Sequence, residues 1–132
     1  MSTELSNTPA GLHVGQVFTA ERAIVEADIA AFATLVGDQG QHHTSTNGRP
    51  MAHGLLTVSL ATQIGGQLDF IARRMDWTFC KPVWAGDTIT AQVTVSELTE
   101  RRSGTGVRFG VVIANQDGET VATGDVYGVI PY

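Results

Sequence analysis

Residues 55–64 read LLTVSLATQI. Apolar side chains occupy most of the helical circumference, and the polar residues among them, Thr57, Ser59 and Thr62, are small. A helix of this composition is buried on most sides rather than laid on a surface. Gly65-Gly66 follows directly and predicts its end. Beyond the glycines the hydrophobic period changes from helical to two. Trp77 and Phe79 alternate with Thr78 and Cys80 before Pro82 and Gly86-Asp87 interrupt the run. Ile89, Ala91, Val93 and Val95 alternate with Thr88, Thr90, Gln92, Thr94 and Ser96, and Val107, Phe109, Val111 and Ile113 repeat the pattern. Such alternation predicts half-buried strands. Asp117-Gly118 is a hairpin signal, and 120–130 reads as a last strand. A buried helix followed by four strands needs a curved sheet around it.

Upstream of this helix, residues 14–25 contain β-branched residues in partial alternation and read as a first strand. Ile29, Phe32, Ala33 and Val36 then fall at the spacing of one helical face, and Gly37 is a natural stop. A loop over 38–52 carries Gly40, Gly48 and Pro50, which exclude a continuous regular element. The order predicts an α+β fold: one domain over 14–132, an antiparallel sheet wrapped around a central apolar helix, behind a flexible tail over 1–13.

The chain has 132 residues and a net charge of −5. Its eight basic residues are scattered apart from Arg73-Arg74 and Arg101-Arg102, which argues against nucleic-acid binding. The arginine pairs read as solvated charge at strand ends, with contact to a phosphate or an acidic carrier protein as the alternative. No segment is long and apolar enough to span a bilayer, and the first residues lack the basic-then-apolar pattern of a secretory signal. The single cysteine, Cys80, allows no internal disulfide and no multi-cysteine zinc site. Together these features point to a cytoplasmic protein. Trp77, Phe79 and Trp84 are expected in the core or at an interface, and Cys80 as an inert thiol.

The loop before the helix concentrates chemistry. Residues 37–56, GDQGQHHTSTNGRPMAHGLL, hold Asp38, Arg49 and three of the four histidines, His42, His43 and His53. Asp38 and His43 are close enough in sequence to converge on one water. After His53-Gly54 the first N–H groups of the helix lack intrahelical acceptors and carry partial positive charge. That position suits a carbonyl oxygen that becomes negative in a transition state. Asp38, His42, His43 and His53 have a composition that binds metals, but their spacing fits no standard zinc pattern. No Gly-rich phosphate loop is present, and no cofactor is expected.

The pattern resembles the MaoC-like (R)-specific enoyl-thioester hydratases of the hot-dog fold. Their loop G-D-x-N-P-x-H-x-D is matched by GDQGQHHTS, 37–45, and their helix opening by MAHGLL, 51–56. FCKPVWAGDTITAQVTV, 79–95, and DGETVATGDVYGVIP, 117–131, match later family segments. The resemblance covers nearly the whole chain from Val14. It implies Asp38 and His43 as the catalytic pair, adding water across an α,β-unsaturated acyl thioester of coenzyme A or a carrier protein. It implies the Gly54 amide as the donor to the thioester oxygen and Thr62 as a hydroxyl near the acid–base pair; His53, at the helix start, is itself read as a residue that orients the loop or caps the helix. It also implies a homodimer, in agreement with the open edges that a small sheet would leave.

The match departs from the family in the loop. Gly40-Gln41 stands where the family has Asn-Pro, and Ser45 where it has a second aspartate. Losing a proline removes a fixed φ and predicts a looser or reshaped loop. The segment before Met51 is shorter than usual, His42 adds a histidine, and Arg49 is available to a carboxylate. These changes leave open two alternatives on the same fold. One is an enzyme that adds an amine such as glycine to the enoyl thioester, with Arg49 holding the amino acid, or that hydrolyses the thioester. The other is a non-catalytic subunit that binds acyl thioesters.

Overall fold

The computed structural model describes residues 11–44 and 48–132. The elements are β1 (Val17–Ala23), α1 (Glu26–Val36), a 3-10 turn (Gln41–His43), α2 (Gly54–Val58), a second 3-10 turn (Ser59–Ala61), α3 (Thr62–Gln67), β2 (Ile71–Phe79), β3 (Thr88–Arg101), β4 (Gly104–Ala114) and β5 (Thr120–Pro131). All strand pairs are antiparallel, in the order β1-β3-β4-β5-β2, so β1 and β2 are the edges. This is the single α+β, hot-dog arrangement expected from the alternating strands and the apolar helix.

The predicted alternation builds the core. Ile89, Ala91, Val93 and Val95 of β3 and Val107, Phe109, Val111 and Ile113 of β4 are all buried. They pack in one cluster with Leu56, Val58, Leu60 and Ile64 of the central helix. A bulge between Val95 and Glu97 shifts the phase, so Leu98 rather than Glu97 continues toward the core.

The central helix is less regular than its sequence predicts. Ser59 Oγ donates to the Leu56 carbonyl and Thr62 Oγ1 to the Ser59 carbonyl. Such back-bonding hydroxyls compete with the regular helix ladder, and the tight 3-10 turn over Ser59–Ala61 sits between them. Gly65-Gly66 does not end the helix, which runs to Gln67. The stop is Asp69, which takes the left-handed conformation (φ 54°), while Phe70 N–H returns to the Gly65 carbonyl at 2.9 Å.

Other boundaries also move. β1 is shorter than the predicted 14–25, because Val25 serves as N-cap of α1. Val36, expected on the packed face of α1, is half exposed, and contact with the core is made by Ile29, Ala33 and Phe32. Leu12, assigned to the tail, is buried in the core. The rest of that expected tail, residues 1–10, and Ser45 lie outside the described residues. Among the described residues no helix is long and apolar enough to cross a membrane.

Candidate active site

Asp38 follows the C-terminus of α1. Gly37 caps that helix with φ 80° and returns its N–H to the Ala33 carbonyl at 2.9 Å. This left-handed cap turns the chain sharply and sets Asp38 at the start of the loop. The Asp38 carboxylate accepts the Gly40 N–H at 3.1 Å. That hydrogen bond, with help from His43, His53 and His42 nearby and against some desolvation, holds its pKa below the ordinary carboxylate value.

His43 ends the 3-10 turn and is buried. Its Nδ1 lies 2.6 Å from the Met51 carbonyl. A carbonyl only accepts, so Nδ1 carries the proton and the Nε2 of a neutral ring presents its lone pair. Nε2 lies 3.5 Å from Asp38 Oδ2. The carboxylate is half exposed while the imidazole is covered, so the pair faces solvent from one side only.

Met51 is itself held. Its N–H donates to the His42 carbonyl at 2.7 Å, Ala52 N–H to Val83, and Ala85 N–H to Pro50. The turn that supplies Val83 and Ala85 is clamped by buried Asp87, which accepts from Trp84 N–H and Gln116 Nε2. Asp87 is thus a buried support of the site. The sequence signalled it only as a turn residue within Gly86-Asp87. At position 41, where the family has proline, the backbone turns through a 3-10 turn in which Gln41 O accepts both Thr44 N–H and Thr44 Oγ1.

His53 lies beneath the pair. Its Nε2 donates to the Asp38 carbonyl at 3.0 Å, its ring stacks on His43 with centroids 3.6 Å apart, and Phe32 packs on it at 5.0 Å. It makes no side-chain cap to the helix, and its ring bond ties the helix start to the backbone of Asp38. His53 Nδ1 is buried without a partner. His42 is exposed and tilts against His43 at 3.9 Å.

Ligand atoms of Asp38, His43 and His53 lie within 4.8 Å of one another, a grouping seen around metals. The two imidazole planes are only 14° apart, however. Ring lone pairs lie in the ring plane, so those of stacked rings run side by side rather than converging on one ion. Each ring also has one nitrogen committed as a donor to a carbonyl.

Gly54 begins α2, and a Cβ placed there would meet the Phe79 ring at 2.7 Å. Glycine therefore lets Phe79 lie against the helix start. From Leu55 onward an apolar cavity of about 440 Å³ runs between the central helix and the sheet, lined by Ser59, Thr62, Gly66, Met75, Trp77 and Phe109 among others. Trp77 packs against Gly124 of β5, where a Cβ would meet its ring at 2.2 Å.

Two expected site residues lie elsewhere. Thr62 is exposed at the cavity wall and bonds to Ser59, with no bond to Asp38 or His43 among the described residues. Arg49 faces Asp87 at 3.8 Å and the Ala85 carbonyl at 3.3 Å, and lines a separate depression with Glu26 and Gly86. The carboxylate beside it is the protein's own.

No protein-family model matches the chain. An (R)-specific enoyl-CoA hydratase from Aeromonas caviae is 34% identical over 100 residues, covering 67% of this chain and 75% of that protein. The structure of an (R)-hydratase from A. caviae involved in PHA biosynthesis superposes with a TM-score of 0.82 at 30% identity, covering 93% of this chain and all of that one. The unliganded R-hydratase PhaJ1 of Pseudomonas aeruginosa superposes with a TM-score of 0.81 at 26% identity, covering 92% and 84%. With this fold, this loop and these relatives, the chain belongs to the MaoC-like hydratase family of hot-dog proteins.

Proposed function

We propose that the chain is an enzyme that hydrates, and in reverse dehydrates, an α,β-unsaturated acyl thioester, with coenzyme A as the carrier. The observation that carries this is the Asp38–His43 pair, with His43 Nδ1 bound to Met51 so that Nε2 faces the carboxylate at 3.5 Å. A water held between Oδ2 and Nε2 gives up a proton to Nε2 while its oxygen bonds to C3 of the enoyl group. The π electrons move to the thioester oxygen, where the Gly54 N–H receives the developing charge. The proton then returns to C2 from the same side, so addition is syn. The Asp38 carboxylate, its pKa held below the ordinary value by the Gly40 N–H, orients the water and stabilises the transient imidazolium. The apolar cavity beyond Leu55 takes the acyl tail. The A. caviae and P. aeruginosa relatives support the (R)-3-hydroxyacyl product.

The cavity meets the exposed edge strand β2, where Ile71, Met75 and Phe79 are about half exposed. A second copy pairing along that edge would satisfy its free backbone groups and cover this apolar row, so the protein acts as a homodimer.

The test is product analysis on trans-2-enoyl-CoA. The expected outcome is gain of one water, reduced roughly a hundredfold or more in Asp38→Asn and in His43→Ala, the usual scale for removing a general acid–base group. Unchanged turnover in both variants would overturn the assignment.

A further inference from the structure

We infer that His42 is a positioning residue for the Asp38–His43 pair: its ring, lodged in the space that glycine leaves at position 40, fixes the plane of the His43 imidazole. This deepens, and rests on, the thioester-hydratase reading. The Met51 carbonyl holds His43 by one atom, Nδ1. A single hydrogen bond fixes a point and leaves the ring free to rock about it, which would swing Nε2 away from Asp38 Oδ2. Contacts on both faces of the ring fix its plane. His53 covers one face, stacked at 3.6 Å with the planes 14° apart. That face has no room for a second ring at 3.9 Å, so His42 takes the other. Phe32, His53, His43 and His42 thus form a column of rings that runs from the core to solvent.

Gly40 makes the column possible. A Cβ there would stand 2.8 Å from His42 Cε1 and 3.3 Å from His42 Nδ1. It would also stand 3.3 Å from Asp38 Oδ1, the oxygen that accepts the Gly40 N–H. The imidazole and the carboxylate therefore flank one small space that any side chain at position 40 would fill. The backbone does not demand glycine, since φ −53° and ψ 144° lie near the polyproline region, open to residues with side chains. What position 40 needs is an empty volume. The sequence departs from the family's loop at this same place twice: a side chain is lost at Gly40, and a ring that the pattern does not require is gained at His42.

The effect of His42 falls on the pair and not on the acyl tail. His42 lies outside the lining of the apolar cavity. It does reach Asp38: of the groups that hold the Asp38 pKa down, the Gly40 N–H does most, and His43, His53 and His42 follow in that order. His42 is exposed while His43 is buried, so its ring can be removed or pushed into solvent without opening the core.

The test is a double-mutant cycle on trans-2-enoyl-CoA hydration with Gly40→Ala, His42→Ala and the two combined, each checked for an unchanged melting midpoint. His42→Ala should lower kcat about tenfold with KM unchanged, and His42→Phe, which restores a ring, should recover most of that loss. Gly40→Ala should lower kcat to a similar extent while His42 is present, because the new methyl pushes the ring off His43. In the His42→Ala background it should add little, so the two losses do not sum. Unchanged kcat in His42→Ala overturns the inference. So does a loss that lies in KM, which would put His42 on the substrate, and so does an equal cost of Gly40→Ala in both backgrounds. Imidazole NMR supplies an arm without turnover. The ring-proton shifts of His43 should move on Gly40→Ala far more in the wild-type background than in the His42→Ala one. A protein that shows this dependence but hydrates no enoyl thioester refutes the hydratase reading and not the His42 contact. Hydration without the dependence refutes the His42 contact alone.

Discussion

At the scale of single residues, two carbonyls set the chemistry of the site. The Met51 carbonyl chooses the tautomer of His43, and the Asp38 carbonyl, held by His53, sets where the carboxylate begins its reach. His53→Phe separates positioning from packing. Phenylalanine keeps the stack between Phe32 and His43 and removes the unpartnered Nδ1, but it deletes the bond to Asp38. Thermal stability should change little, while kcat should fall about tenfold or more through misplacement of the pair. Full activity with unchanged stability would show that His53 does not position Asp38.

At the scale of elements, hairpins and turns carry the local electrostatics. Asn115 Oδ1 accepts the N–H groups of Asp117 and Glu119 and closes the β4–β5 turn. Glu119 then accepts from Lys81 Nζ and Asn115 Nδ2, which tie the turn to the segment after β2. Those partners, Lys81 first, lower the pKa of Glu119 from 4.5. A depressed carboxylate pKa contributes stability that is present above the unfolded value and is lost as pH falls through the folded one. Glu119→Gln should therefore be less stable than wild type at neutral pH, and the gap should close as denaturant melts are moved below pH 4.5. A gap of constant size across that range would mean that the ion pair contributes nothing. The elements themselves were legible wherever a period ran unbroken, as in β3, β4 and α1. They were misread at the glycine pair, because helix termination at 65–66 depends on the turn at Asp69 and Phe70 and not on glycine content alone.

At the scale of the whole molecule, the sheet order leaves β2 as an edge with its apolar side chains uncovered. A charge in the middle of such an edge opposes strand addition. If the protein pairs along this edge as proposed, Met75→Lys should shift it from dimer to monomer in sedimentation, with activity falling alongside because Met75 also lines the apolar cavity. A variant that remains dimeric would place the interface on another surface. The apolar cavity is also a property of this scale, since it is lined from several strands and the central helix.

The sequence by itself determined the fold class, the buried helix, the strand phases and the loop that holds Asp38 and His43. Each of these is written in local periodicity or in residues close together in the chain. Only the tertiary structure decided that Arg49 answers to Asp87 and that Thr62 lies along the apolar cavity rather than with the pair. Tertiary structure alone also stacked His53 under His43 and tilted His42 against it. Those relations join residues far apart in sequence, or depend on which way a side chain turns once the sheet has curved around the helix. No period or spacing records them.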